Sequence, residues 1–172
     1  MIVLGIDPGQ HTGWVLVEAP SIRILASGTL NAASFSDPDD SDGATLLKMR
    51  SCFADLAAEY VIGLIASEQP IDAKPFWGAQ KGVRKEGTGT SFRSGVYFGL
   101  MRAAVPGYVP FVSYPVHGFG KRSGWMPARA KRGELLGRLS LAARAAKGDL
   151  QTDHELMAFG VALHAIRMAK KL

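Results

Sequence analysis

One short apolar segment constrains the fold of this chain more than any other part of its sequence. Residues 61–66 read Val-Ile-Gly-Leu-Ile-Ala, with no polar side chain among them, and Ser67-Glu68 follows directly. A continuous apolar run of this length is typical of a strand that is covered on both faces. Such strands belong to parallel or mixed sheets with helices on both sides, so the segment predicts an α/β fold.

Three strands are expected before this run, together with one helix. The apolar segments 2–6 and 13–17 flank a turn signal at Asp7-Pro8-Gly9-Gln10, which predicts a hairpin, and a third strand is expected at about 22–30. A loop rich in Ser, Asp, Ala and Gly follows over 32–43. Apolar residues then recur at three- and four-residue spacing from Leu46 to Tyr60, which predicts a helix with Ser41 or Asp42 near its start.

The rest of the chain alternates between helix and strand. The expected elements are a helix marked by apolar and small residues over 92–103, a strand over 108–114, and helices over about 130–146 and 152–170. The order β-β-β-α-β-α-β-α-α indicates one mixed sheet with helices on both faces. We therefore expect a single α/β domain over residues 1–172.

Composition narrows the class of partner. The net charge of +5 and the sequence pI near 9.5 indicate an anionic partner, most commonly nucleic acid. A lone cysteine, Cys52, excludes an internal disulfide and a cysteine-based zinc site. No apolar run approaches the roughly 20 residues of a membrane span, and the N-terminus lacks the basic region of a signal peptide. A cytoplasmic protein with no membrane partner is expected.

Two carboxylates follow predicted strands directly. Asp7 ends the first apolar segment, and Pro8 and Gly9 favour a turn after it; Glu68 ends the run at 61–66, with Pro70 beyond it. If the two strands are neighbours, both carboxylates lie at one sheet edge, where their repulsion favours a bound cation such as Mg²⁺. Each acid taken alone is also compatible with ordinary turn or capping chemistry.

Several motifs resemble those of RuvC-type Holliday-junction resolvases, which have the RNase H-like fold. Residues 5–9 with Thr12-Gly13-Trp14 are similar to the first motif of that group, and residues 65–70, whose Glu68 is 61 positions after Asp7, are similar to the second. Weaker similarity continues through the segments 98–104, 114–116 and 153–164. The resemblance implies an RNase H-like mixed sheet.

The last motif departs from the family pattern. The resemblance sets Met157 where family members usually have an acid, and Met is a soft ligand that does not suit Mg²⁺. Asp153, four residues earlier on the same helical face, is the expected replacement. His154 matches a family histidine that lies three residues before the acid, and is expected to assist the nucleophilic water. Glu155 is a further candidate.

Structural roles remain open for these three residues. Thr152-x-x-Glu155 before an apolar run is also a capping box, in which Glu155 reaches back over the helix start. Asp153 is compatible with a solvated acid in the first helical turn, and His154 with a surface residue.

The resemblance implies a metal-dependent endonuclease that nicks four-way or other branched DNA as a homodimer. Cleavage would leave a 5′-phosphate and a 3′-hydroxyl, with two Mg²⁺ ions per site and Mn²⁺ as a substitute. The implied metal ligands are Asp7, Glu68 and Asp153, with His154 and Glu155 completing the catalytic set.

Two basic stretches are the expected DNA surface, although each is also compatible with an ordinary solvated face. An aromatic pair, Phe76 and Trp77, is expected to stack on bases at a branch point, or alternatively to fold onto the core or a partner. The basic candidates are Lys81, Arg84, Lys85, Lys121, Arg122, Arg129, Lys131 and Arg132.

Three rival functions are compatible with parts of this pattern. Met157 is compatible with an inactive relative that keeps junction binding, and an RNase H-like nuclease acting on RNA or another branched DNA shares the same motifs. Actin- and sugar-kinase-type nucleotide-binding proteins also open with Gly-Ile-Asp-x-Gly. The chain shows no second Asp-x-Gly turn, which disfavours that third class.

Overall fold

The computed structural model describes residues 1–9, 11–31, 42–69, 99, 102–115 and 132–169. These residues form a five-stranded mixed sheet and three helices of defined extent. In chain order the elements are β1 (Ile2–Asp7), β2 (His11–Glu18), β3 (Arg23–Asn31), α1 (Asp42–Glu59), β4 (Ile62–Gln69), β5 (Phe111–Pro115), α2 (Arg132–Ala145) and α3 (Asp153–Ala169).

The sheet has the strand order β3-β2-β1-β4-β5. The expected hairpin is confirmed, because β1 and β2 pair antiparallel from Ile2–Glu18 to Asp7–Gly13. The condition for a shared carboxylate site is also met, since β1 pairs with β4 in parallel. The strands that end in Asp7 and near Glu68 are therefore direct neighbours in the centre of the sheet.

Helices cover both faces of the sheet, as the apolar run predicted. Leu4, Ile6 and Ile65 pack with Phe53 of α1 on one face. Val3, Ala66, Val15 and Val17 pack on the other face with α2 and α3, against a buried group that includes Leu139, Ala158, Phe159 and Ala162. Alternate residues of β1 and β4 thus enter different clusters, which is the period-two geometry of a strand buried on both sides.

Two glycines let α3 approach the sheet closely. A Cβ atom added to Gly5 would lie 2.2 Å from the carbonyl oxygen of Ala158, and one added to Gly13 would lie 2.2 Å from the carbonyl of His154. These separations are far inside van der Waals contact, so any side chain at either position would push the helix away. Because Gly13 has no side chain, the first turn of α3 can pack directly on the start of β2.

The predicted starts of two strands were wrong, one by a single residue and the other by three. Val61 is 90% exposed and precedes β4, which begins at Ile62. The strand predicted over 108–114 begins only at Phe111, because the amide of Val109 donates to the Pro106 carbonyl in a turn that leaves Tyr108 86% exposed. Of the helix predicted over 92–103, residues 99, 102 and 103 are helical and the rest lies outside the described residues; residue 104 is helical as well.

Within the described segments, no helix combines the length and the apolar character that crossing a bilayer requires.

Candidate active site at the ends of two parallel strands

Asp7 and Glu68 lie side by side at the ends of β1 and β4. The last parallel pair joins Ile6 to Ser67, so the two acids are the next residues on strands about 4.8 Å apart. Both acids also belong to the face that α3 covers. Gly5, two residues before Asp7, contacts α3, and Ala66, two residues before Glu68, belongs to the cluster around α3. Strand alternation therefore directs the two carboxylates to the same side.

Glu68 is flanked on its other side by a half-buried tyrosine. Tyr114 of β5 pairs with Glu68 in parallel register, and its ring meets the ring of His164 edge-on, with the centroids 4.5 Å apart. Burial raises the pKa of Tyr114 above its ordinary value, so its hydroxyl stays neutral beside the acid. The Oε1 atom of Glu68 is itself buried. The tyrosine ring thus shields this side of Glu68 from part of the solvent.

His154 provides the direct link between helix and strand. Its Nδ1 atom lies 2.8 Å from Oδ2 of Asp7, and the Asp7 side chain is only 13% exposed. With the proton on Nδ1, the imidazole donates to the carboxylate, and Nε2 is then the basic nitrogen of the ring. A carboxylate that orients an imidazole in this way is a common arrangement for a histidine that accepts a proton from water.

The start of α3 is fixed by the predicted capping box. The amide of Glu155 donates to Oγ1 of Thr152 at 3.1 Å, which makes Thr152 the N-cap, and Glu155 reaches back to accept the Gln151 amide at 3.1 Å. The same carboxylate accepts from the hydroxyls of Ser27 and Thr29 of β3, at 3.3 and 3.1 Å. Glu155 is 5% exposed. Its carboxylate therefore links the start of α3 to β3.

Asp153 and Met157 occupy different environments on α3. Asp153 is the first residue of the helix and is exposed, whereas Met157 is half-buried and packs against the core. Among the described residues, no three His, Cys, Asp or Glu side chains surround a common point at metal-ligand distances. The structure joins His154 to Asp7 and places Glu68 at the end of the neighbouring strand, and the contribution of Asp153 stays a prediction.

The two strand carboxylates suit a divalent cation. Mg²⁺ is usually held by one or two carboxylates together with water, which matches the chemistry of Asp7 and Glu68. A cation between them would also offset the repulsion of two neighbouring negative charges, one of them with a buried oxygen.

The predicted DNA-contacting residues lie outside the described segments with one exception. Arg132 is the first residue of α2, and only its backbone is described. The DNA-surface prediction stays a prediction for Phe76, Trp77 and the remaining basic residues, which are Lys81, Arg84, Lys85, Lys121, Arg122, Arg129 and Lys131.

Sequence reasoning missed three polar residues around the site. Ser27 and Thr29 alternate on β3, and this spacing signals a polar strip on one strand face without indicating its partner. His11 opens β2, and its ring stacks on that of His154 with centroids 5.7 Å apart and planes 27° apart. A histidine beside the Asp-Pro-Gly turn was a visible signal, but only the folded structure brings it to α3.

Comparison with known proteins gives a clear result at the level of structure. No family model matches the sequence, and the search of curated proteins found no match. Among solved structures, Thermus thermophilus RuvC in complex with a Holliday junction substrate has a TM-score of 0.70 at 17% identity, covering 99% of this chain and 96% of that one.

Two further structures extend this similarity. Thermus thermophilus RuvC determined separately has a TM-score of 0.68 at 17% identity, covering 99% of this chain and 97% of its own. The yeast mitochondrial Holliday junction resolvase Ydc2 has a TM-score of 0.62 at 14% identity, covering 98% of this chain and 79% of its own. The mixed sheet flanked by helices, with its central pair β1 and β4, is therefore the RNase H-like fold of the RuvC-type Holliday-junction resolvases.

Proposed function

We propose that this chain is a divalent-metal-dependent endonuclease that binds four-way or other branched DNA and nicks it by phosphodiester hydrolysis. Residues 1–172 would form one nuclease domain that acts as a homodimer and leaves a 5′-phosphate and a 3′-hydroxyl. The observation that carries the proposal is the placement of Asp7 and Glu68 at adjacent strand ends, with His154 hydrogen-bonded to Asp7. The fold it shares with RuvC, one of whose structures holds a Holliday junction, supports the choice of substrate.

Each residue of the site has a distinct task in this proposal. Asp7 and Glu68 would hold Mg²⁺, or Mn²⁺ in its place, with Asp153 as the proposed third ligand. The metal, with two ions in the full site, would supply Lewis-acid stabilisation of charge on the phosphate and a more acidic bound water. His154, oriented by Asp7, would accept a proton at Nε2 from the attacking water. The net charge of +5 favours binding of the phosphate backbone.

The test is a nicking assay on a synthetic four-way junction in Mg²⁺ and in Mn²⁺. The wild-type chain should nick strands near the branch point, and Asp7→Asn should abolish nicking while junction affinity changes little. The reason is that the amide removes the negative charge of one metal ligand without removing any basic DNA contact. Gel analysis of the nicks and fluorescence anisotropy of binding measure the two effects separately. Loss of both together would contradict the role given to Asp7.

One observation favours a second candidate, a junction-binding protein without nuclease activity. Met157 is half-buried and packs on the core in the turn that follows His154, where the family resemblance expects an acid. A chain of this kind would bind the junction tightly and would not nick it in either metal. The same assay therefore distinguishes the two candidates.

A further inference from the structure

An exposed imidazole outside the proposed catalytic set borders the site. His11 is the first residue of β2, and its side chain is exposed. Its ring stacks on His154, the residue that bonds Asp7, with the centroids 5.7 Å apart. The two imidazoles thus form a continuous surface that starts at Asp7 and extends over the start of β2.

The backbone around His11 is held on both sides. Thr12, the next residue, is buried, and its hydroxyl donates to the Gly9 carbonyl at 2.7 Å and accepts from the Gly9 amide at 3.2 Å. On its other side, β2 pairs His11 with Asn31 of β3. An exposed ring on such a fixed backbone loses little conformational freedom when it binds a ligand.

We propose that His11 contacts the substrate: its imidazole N–H donates to an oxygen of the phosphate next to the one that is cleaved. This inference rests on the proposed function, because it places a nucleic-acid strand across Asp7 and Glu68. Imidazole carries at least one N–H donor in either protonation state, so the contact needs no change of charge. The His11 ring stacks on His154, so a strand whose cleaved phosphate lies beside His154 would bring a neighbouring phosphate to His11.

The alternative role for His11 is positional, in which stacking alone holds His154 in place. Two substitutions separate the roles. His11→Phe keeps an aromatic ring for stacking and removes the N–H donor, whereas His11→Gln keeps a donor and removes the ring. If His11 contacts phosphate, His11→Phe should lower the single-turnover nicking rate or the junction affinity by about tenfold, and His11→Gln by less. If stacking is the whole role, His11→Phe should behave as wild type. Thermal unfolding checks that both variants remain folded, as expected for an exposed residue.

The second measurement removes from the DNA the phosphate charge that His11 is proposed to contact. In separate four-way junctions, a neutral methylphosphonate replaces each phosphate within two positions of the cleaved bond, with the cleaved phosphate left intact. At one position this change should lower the nicking rate or junction affinity of the wild type by about tenfold. It should have little further effect on His11→Phe, because that variant already lacks the hydrogen bond to phosphate. The proposal would be overturned if the losses caused by methylphosphonate and by His11→Phe multiplied at every position. It would also be overturned if His11→Phe matched the wild type in nicking rate and junction affinity.

The design separates failure of this inference from failure of the proposed function. If the wild-type chain nicks the junction in neither Mg²⁺ nor Mn²⁺, the proposed nuclease function is wrong. The same set of variants and junctions is then measured by binding, centred on the phosphates nearest the branch point. A methylphosphonate position at which His11→Phe shows no further loss of affinity supports the contact, and multiplied losses at all positions reject it.

Discussion

The two halves of the candidate site are built on different kinds of backbone. Asp7 and Glu68 stand at the ends of neighbouring parallel strands, where the Ile6–Ser67 pair fixes their relative position. The other half, Asp153 to Met157, belongs to the first turns of α3, and capping contacts to β3 fix its position. The strand half therefore depends on local register, whereas the helix half depends on where one helix begins.

This difference explains why the placement of the strand acids follows so directly from the sequence. Strand alternation has a period of two residues, so every residue of β1 and β4 has one of only two faces. Along a helix each residue turns the side-chain direction by about 100°, so a shift of one residue in the helix start changes which acid faces the sheet. In α3 the start at Asp153 turns Glu155 towards β3 and leaves Asp153 exposed.

The largest effect should come from the strand half. Glu68→Gln removes one of the two adjacent charges that we propose bind the metal, with almost no change in shape. Because metal-ion catalysis contributes several kcal/mol, nicking should fall by about 1,000-fold or more. Single-turnover nicking of a four-way junction in Mg²⁺ measures this loss, and anisotropy should show that junction binding is retained.

A carboxylate on the same sheet, far from the site, supplies the control. Glu18 ends β2 at the opposite edge and forms an exposed pair with Arg23 at 3.2 Å. Glu18→Gln removes the same charge and should leave the nicking rate unchanged. A Glu68→Gln variant that keeps more than about a tenth of the wild-type rate would be inconsistent with a metal-ligand role.

Much of the fold could be predicted because its signals are local. The apolar run before Glu68 showed that this strand is covered on both faces, and the hairpin around Asp7-Pro8-Gly9 follows from turn chemistry. The errors at Val61 and Tyr108 have two different origins, although both residues suit strands by propensity. Tyr108 lies in a turn from Pro106 to Val109, where the local turn signal Pro106-Gly107 outweighs strand propensity. The exposure of Val61 depends on the tertiary structure.

The second-largest expected effect is a loss of stability, and it concerns the helix half of the site. Glu155→Ala deletes the acceptor of the Ser27, Thr29 and Gln151 donors in a buried position. Loss of a cap and of several buried hydrogen bonds should lower the free energy of unfolding by about 2–3 kcal/mol. Urea denaturation followed by circular dichroism measures this change.

Glu134 is a matched control for Glu155. It also lies in the first turn of a helix, α2, but it is exposed and pairs only with Arg138 at 2.9 Å among the contacts the structure gives. Glu134→Ala should cost about 0.5 kcal/mol or less. Equal destabilisation by the two substitutions would mean that the links from Glu155 to β3 contribute little to stability.

The partners of Glu155 could not be predicted from sequence alone. The Thr152-x-x-Glu155 spacing predicts the capping box, and the Glu155 amide bond to Thr152 confirms it. Ser27 and Thr29 lie 128 and 126 residues away in the chain, so only the packing of α3 on the sheet brings them to this carboxylate. The same packing, made possible at Gly13, brings His154 to Asp7.

The smallest expected effect is the sharpest test of the helix half. Asp153 is exposed at the start of α3, so Asp153→Asn should change stability by only about 0.5 kcal/mol, through a weaker interaction with the helix dipole. If Asp153 completes the metal site, the Mg²⁺ concentration for half-maximal nicking should rise about tenfold, a scale at which even outer-shell partners alter metal affinity. Asp149→Asn removes an equal charge from another exposed residue nearby and should leave this concentration unchanged. An unchanged Mg²⁺ requirement in Asp153→Asn would assign metal binding to the strand half alone, because Glu155 is already committed to the helix cap and to β3.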